Sequence, residues 1–178
     1  ILDGDIFAMK PSVLMVTFGM NDSGYFEYNG DKPKEFGEQK YQESIKNYQQ
    51  MEKRFKDLPD TRIVMVGTSP YDETVQLKEN TPFKAKNETI KRLVEYQKES
   101  AVKNNWEFTD LNAPMTAINQ QYQQKDPTFT LCGSDRIHPD NDGHMVMAYL
   151  FLKAQGFVGK EVADMEINAN KKQAVKSE

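Results

Sequence analysis

Three continuous apolar runs punctuate the chain, and the stretches between them carry a period of three to four. Residues 12–18 (S-V-L-M-V-T-F) make the first run, which follows Pro11 and stops at Gly19. A β-rich run without polar alternation is how a strand buried on both faces reads. Residues 62–67 (R-I-V-M-V-G) repeat the pattern, and residues 106–111 (W-E-F-T-D-L) give a third, shorter strand. The polar, Gly-rich stretch 21–37 is expected to be loop. From Tyr41 the apolar positions Ile45, Tyr48, Met51, Phe55 and Leu58 fall on one face of a helix, ended by Leu58-Pro59-Asp60. A second helix is expected over residues 83–103, with Ile90, Leu93, Val94, Gln97 and Ala101 on one face. A third is expected near residues 114–124, and a last one over residues 141–154, stopped by Gly156. Residues 2–9 read as the end of a helix leading into the first run. Residues 162–167 alternate weakly, as an edge strand or a linker does, and residues 168–178 are expected to fray.

Strand followed by helix, three times over, predicts an α/β fold with a mainly parallel sheet and helices on both faces. Reactive residues in such sheets sit in loops beyond the carboxyl ends of the strands. Here those loops follow Phe18, Val66 and Leu111. The domain is expected to span residues 1–159, with residues 160–178 as a polar tail or linker.

Composition narrows the function classes. The 178 residues suffice for one domain with a sizeable core. The net charge of −4 is spread along the chain without a basic block, which argues against a nucleic-acid partner. No apolar run approaches the ~20 residues of a membrane span. Cys132 is the single cysteine, so no intrachain disulfide forms. Two histidines, one cysteine and scattered acids give no metal-ligand spacing, and no P-loop or Rossmann glycine pattern occurs. No cofactor is therefore expected. The chain opens at Ile1 without an initiator Met or a signal peptide, so a processed or truncated N-terminus is expected.

Two constellations carry chemistry. Gly19-Met20-Asn21-Asp22 follows the first buried run. An Asn there can aim its amide N–H at an oxyanion developing in the cleft, or the four residues are simply a turn. Asp135-Arg136-Ile137-His138-Pro139 puts a carboxylate three residues before one of the two histidines. On an irregular loop that spacing lets the acid fix the tautomer of a general base, and it also fits a surface loop before a helix. Asp140-Asn141-Asp142-Gly143-His144 reads as an N-cap and first helical turn, with His144 structural. Asp3-Gly4-Asp5 has Ile6 where a Gly-Asp-Ser nucleophile motif would need serine.

In order and separation these blocks resemble the SGNH hydrolase family, in its bacterial GDSL-like acylhydrolase branch. Residues 19–22 match its Gly-x-Asn-Asp block, and residues 135–139 match its Asp-x-x-His-Pro block before the last helix. The resemblance runs to about Phe157. It implies a three-layer, flavodoxin-like α/β/α fold and ester hydrolysis through an acyl-enzyme without metal or cofactor. Asn21 would donate to the oxyanion and Gly19 would let the loop pass closely. His138 would deprotonate the nucleophile, and Asp135 would orient His138. The family's nucleophile block and second oxyanion block lie N-terminal to this match, and no serine of the chain stands in such a motif. The nucleophile and the first strand are therefore expected on an N-terminal segment or second chain that completes the sheet.

The implied substrate is a small-molecule or glycan ester, with a carbohydrate O-acetyl group preferred and lysophospholipid or aryl esters left open. The aromatic residues at 25–28 either stack on a sugar or pack the loop. The resemblance leans towards an exported protein. The opposing reading is a binding module that kept the fold and lost the reaction.

Overall fold

The three apolar runs form β1 (Val13–Phe18), β2 (Arg62–Gly67) and β3 (Glu107–Asp110). In the computed structural model, which describes residues 2–161, 165–168, 170–171 and 173–177, they pair in parallel in the order β1-β2-β3. The helices are α1 (Pro33–Phe55), α2 (Lys86–Asn104), α3 (Asn112–Gln123) and α4 (Asn141–Ala154).

Side-chain alternation along β2 explains the layering. Ile63 and Met65 point to one face, where they pack with Val16 of β1, Tyr48 and Phe55 of α1 and Ala101 of α2. Val64 and Val66 point to the other, against Leu111, Met115 of α3 and Val146, Met147, Leu150 and Phe151 of α4. The chain is thus an α/β/α sandwich with β2 at its centre, buried from Ile63 to Gly67. Each such side chain removed from water contributes roughly 1.5–3 kcal/mol.

The first strand departs from the expectation of burial on both faces. In β1 only Val16 is buried, and Val13, Met15 and Phe18 are 44%, 54% and 45% exposed. For Val13 and Met15 the reason is position: β1 is an edge strand, and α1 and α2 cover only the opposite face, with Leu14 and Val16, at whose end Phe18 meets Tyr48 edge-on. Met145, Tyr149 and Leu152, spaced four and three along α4, are exposed as well.

Several boundaries also differ. The stretch expected as loop holds a 3-10 turn at Phe26–Asn29 and the first turns of α1, which starts at Pro33 because proline fits the first helical position. That helix ends at Phe55 rather than Leu58, closed by a turn from Leu58 N–H to Phe55 O at 3.1 Å. Residues before β1 form a π-turn (Leu2–Ile6) and a 3-10 turn (Phe7–Met9) instead of an α-helical end. Asp140 holds the N-cap position of α4 in extended conformation, without a side-chain capping bond. In the tail, β4 (Met165–Asn168) and β5 (Gln173–Ser177) pair antiparallel in a sheet of their own. The described part of the alternating stretch thus pairs with the segment expected to fray, and neither joins the main sheet; residues 162–164, 169, 172 and 178 lie outside the described residues.

Helices α1 and α2 are cross-braced. Arg92 bonds Glu38 at 2.7 Å and lies over the Tyr41 ring at 3.8 Å. Glu52 accepts from Tyr96 at 2.8 Å and Ser100 at 2.7 Å. The buried Gln97 of α2 donates to Phe18 O at 2.9 Å. That bond fixes the carboxyl end of β1, where the first chemical block begins.

Candidate active site

Beyond β1 the chain turns sharply. Gly19 has φ +135°, and a Cβ there would sit 2.9 Å from the Thr68 side chain at the end of β2. A residue without a side chain is needed for the two strand exits to pass this closely. Asp22 folds back to accept Gly19 N–H at 2.8 Å, and Ser23 N–H donates to Gly19 O at 2.9 Å. The turn presents Asn21 at the surface. Its Oδ1 accepts a hydrogen bond from the Tyr25 hydroxyl. Burial first, then Asp135 and Asp22, raise the Tyr25 pKa, so the phenol keeps the proton that it donates to this amide oxygen. With Oδ1 occupied, Asn21 Nδ2 is left to donate.

The second block lies between α3 and α4 and is stapled onto the exit loop of β2. Cys132 Sγ donates to Pro70 O at 3.2 Å, and Asp72 N–H donates to Arg136 O at 3.1 Å. Arg136 is buried at 1% exposure in the left-handed region, φ 71°. Its guanidinium donates to Asp72 O at 3.0 Å, Val75 O at 2.7 Å and Asn80 O at 2.5 Å. A buried cation solvated by carbonyls holds the loop rigid and turns Asp135 and His138 outward.

Asp135 and His138 meet directly. Asp135 Oδ2 lies 2.6 Å from His138 Nδ1, and Oδ1 accepts the backbone N–H groups of Ile137 and His138, each at 2.9 Å. Partial burial pushes the carboxyl pKa up, but these bonds and the imidazole outweigh it, and Asp135 sits below the usual carboxylate range. An ionised carboxylate only accepts, so in the neutral imidazole Nδ1 carries the proton and Nε2 keeps its lone pair. The His138 side chain is 81% exposed, so that lone pair is open to a reacting group.

The two blocks share one support. Met20, next to Asn21, and Ile137, next to His138, pack on the cluster of Tyr71, Ile90 and Val94. The immediate neighbours of Asn21 and His138 thus rest on one apolar platform, and Gly19 and Asp135 belong to the same two loops. His144 is elsewhere, exposed on the first turn of α4. Two buried serines are engaged otherwise: Ser23 Oγ donates to Met20 O at 2.8 Å and Ser100 Oγ to Glu52 at 2.7 Å. The Cys132 thiol, pushed up to about 12 by burial, is not a nucleophile at neutral pH. No group of three or more His, Cys, Asp and Glu among the described residues could hold a metal ion. No described helix is long and apolar enough to cross a membrane.

Sequence reasoning missed Tyr25, Arg136 and Lys86 as partners of these residues. Lys86 is completely buried and donates to Met20 O at 2.9 Å, to Ser23 Oγ at 2.7 Å and to Gly24 O. A signal existed for it: Lys86 precedes Ile90 by four and Leu93 by seven, on the apolar stripe of α2. Nothing comparable marked Arg136, a charged residue in a loop.

A gut microbial diltiazem-metabolizing enzyme is 82% identical with a TM-score of 0.87, over 99% of this chain and 40% of that one. A catalytic mutant of the acetylxylan esterase Axe2 from Geobacillus stearothermophilus is 21% identical with a TM-score of 0.64, over 87% of this chain and 64% of that one. The acetyl xylan esterase AlAXEase is 17% identical with a TM-score of 0.61, over 86% and 71%. The last two share the fold. This chain spans about two fifths of the length of the first structure and under two thirds of the second. No curated protein matches the sequence significantly. The family model for GDSL-like lipases and acylhydrolases matches residues 2–146, and the chain belongs to that family.

Proposed function

We propose that the protein carrying this chain is a carboxylic-ester hydrolase working through a serine acyl-enzyme, with residues 1–159 as part of its catalytic domain. The observation that carries the reading is the Asp135–His138 pair: Nδ1 is tied to the carboxylate, Nε2 is open, and Asn21 Nδ2 is free on the same platform. His138 Nε2 takes the proton of a serine hydroxyl as Oγ bonds to the ester carbonyl carbon. Asn21 donates to the oxyanion of the tetrahedral intermediate. His138 then hands the proton to the departing alcohol, and water, deprotonated in the same way, releases the acid.

The nucleophilic serine is assigned to a segment outside residues 1–178 that pairs along the free edge of β1. Exposed Val13, Met15 and Phe18, with Met145, Tyr149 and Leu152 of α4, favour this reading, because such apolar surface is stabilised by cover. The substrate class is a small-molecule or glycan ester with a short acyl group. The 82%-identical neighbour is a diltiazem-metabolizing enzyme, which supports a small-molecule substrate. Of the residue 25–28 aromatics, Phe26, 79% exposed, is the ring left to stack on a sugar. Tyr28 is 1% exposed and donates to Ser23 O, and the Tyr25 hydroxyl is taken by Asn21.

The test is hydrolysis by the full protein of p-nitrophenyl acetate, butyrate and octanoate, together with acetylated xylo-oligosaccharide. Turnover of acetate esters with kcat/KM falling as the acyl chain lengthens is expected. Absence of hydrolysis across the panel would favour the binding module instead.

A further inference from the structure

The residue 19–25 turn has no regular secondary structure to hold it, yet it must present the Asn21 amide in one orientation. Its internal bonds secure the backbone: Ser23 N–H to Gly19 O at 2.9 Å and Gly24 N–H to Asn21 O at 3.1 Å. They leave the Asn21 side chain free to rotate. An exposed asparagine amide otherwise flips between orientations that place Nδ2 or Oδ1 in the cleft, and only one of these donates to an oxyanion.

We propose that Tyr25 is a positioning residue for Asn21, its hydroxyl holding Oδ1 so that Nδ2 faces the developing oxyanion; this rests on the esterase reading above. The Tyr25 ring is held on two sides. Its face lies 4.0 Å from Lys86 Nζ, and it meets Phe83 edge-on at 6.3 Å. The contact with Lys86 is a cation–π interaction inside the protein, where such contacts are strongest. Lys86 is fixed in turn by three acceptors of the same turn, Met20 O, Ser23 Oγ and Gly24 O, one for each ammonium proton. The ammonium thus ties the backbone on either side of Asn21 and the ring that reaches its side chain. A buried lysine without a carboxylate in contact is costly. Precise placement of Asn21 is the use that this geometry gives it.

Tyr25→Phe removes only the hydroxyl and keeps the ring over Lys86, so the fold is retained. Steady-state hydrolysis of p-nitrophenyl acetate by the full protein is measured for wild type, Tyr25→Phe, Asn21→Ala and the double variant. The expected result is a loss of about tenfold in kcat for Tyr25→Phe with KM little changed, and no further loss when it is added to Asn21→Ala. A loss of equal size in both backgrounds overturns the proposal, because Tyr25 would then act on something other than Asn21. So does wild-type kcat for Tyr25→Phe while Asn21→Ala is impaired. If Asn21→Ala itself leaves kcat unchanged, the oxyanion role of Asn21 fails, and the proposal goes with it.

Discussion

Asp135 Oδ2 lies 2.6 Å from His138 Nδ1, and the other oxygen of the same carboxylate accepts two backbone N–H groups at 2.9 Å. One side chain therefore fixes both the loop and the tautomer of the imidazole it carries. The consequence is specific. Asp135→Asn keeps the shape but no longer holds the Nδ1 proton, and kcat on acetate esters is expected to fall by about 10⁴-fold. His138→Ala should lose at least as much. The His138 side chain is largely exposed and that of Asp135 half so, and thermal unfolding should shift little. Wild-type turnover in Asp135→Asn would remove the pair from the mechanism.

Asn21 acts at a later point of the same reaction. Truncation to alanine should lower kcat by roughly 10²–10³-fold, the usual cost of one oxyanion donor, with KM nearly unaltered. A rise in KM alone would mean that Asn21 binds the substrate rather than the transition state.

Lys86 makes stability depend on pH. Burial lowers its pKa to about 7 from 10.5, with Asp22 opposing the shift; Tyr25, Tyr28 and Tyr71 are the other groups facing it. The folded state therefore sheds this proton before the unfolded state does. Below pH 7 both states are protonated and the cost of the buried charge is felt in full. Between about pH 7 and 10.5 the unfolded chain binds more protons, and stability rises by up to ~1.4 kcal/mol per pH unit. Urea unfolding of the wild type and of Lys86→Met from pH 6 to 9 should show this rise only in the wild type. Equal slopes would contradict the account of Lys86.

Arg136 is the second buried cation, and its fork spans three carbonyls that no single ammonium can reach. Arg136→Lys should leave buried acceptors unpaired and cost about 3 kcal/mol in denaturant unfolding. Activity of the folded fraction should fall too, since the loop carrying His138 loses its staple to residues 72–80. A variant as stable as wild type would assign the staple to the backbone alone.

The legible and illegible parts of this molecule divide by range. The strands and the bounds of α4 follow from local period, and Asp135 and His138 from a three-residue spacing on one loop. Tyr25 acts over 4 residues of separation, Lys86 over 62–66 and Arg136 over 56–64, through hydrogen bonds and a ring, and single-sequence periodicity carries no such information. Lys86 is the intermediate case, visible as a charge on an apolar stripe. In β1 the pattern over-reads the fold: residues 12–18 have the composition of a strand covered twice, while only the Leu14 and Val16 face is covered among the described residues.

The central claim is that His138 activates a serine supplied from outside residues 1–178. The direct measurement is labelling of the full protein with a fluorophosphonate, mapped by peptide mass spectrometry, in wild type and His138→Ala. The account predicts one labelled serine outside this chain's 178 residues, with labelling slowed by roughly 10²–10⁴-fold in His138→Ala. A label on Ser12, Ser134 or another serine within these residues, or equal labelling in the two proteins, would contradict it.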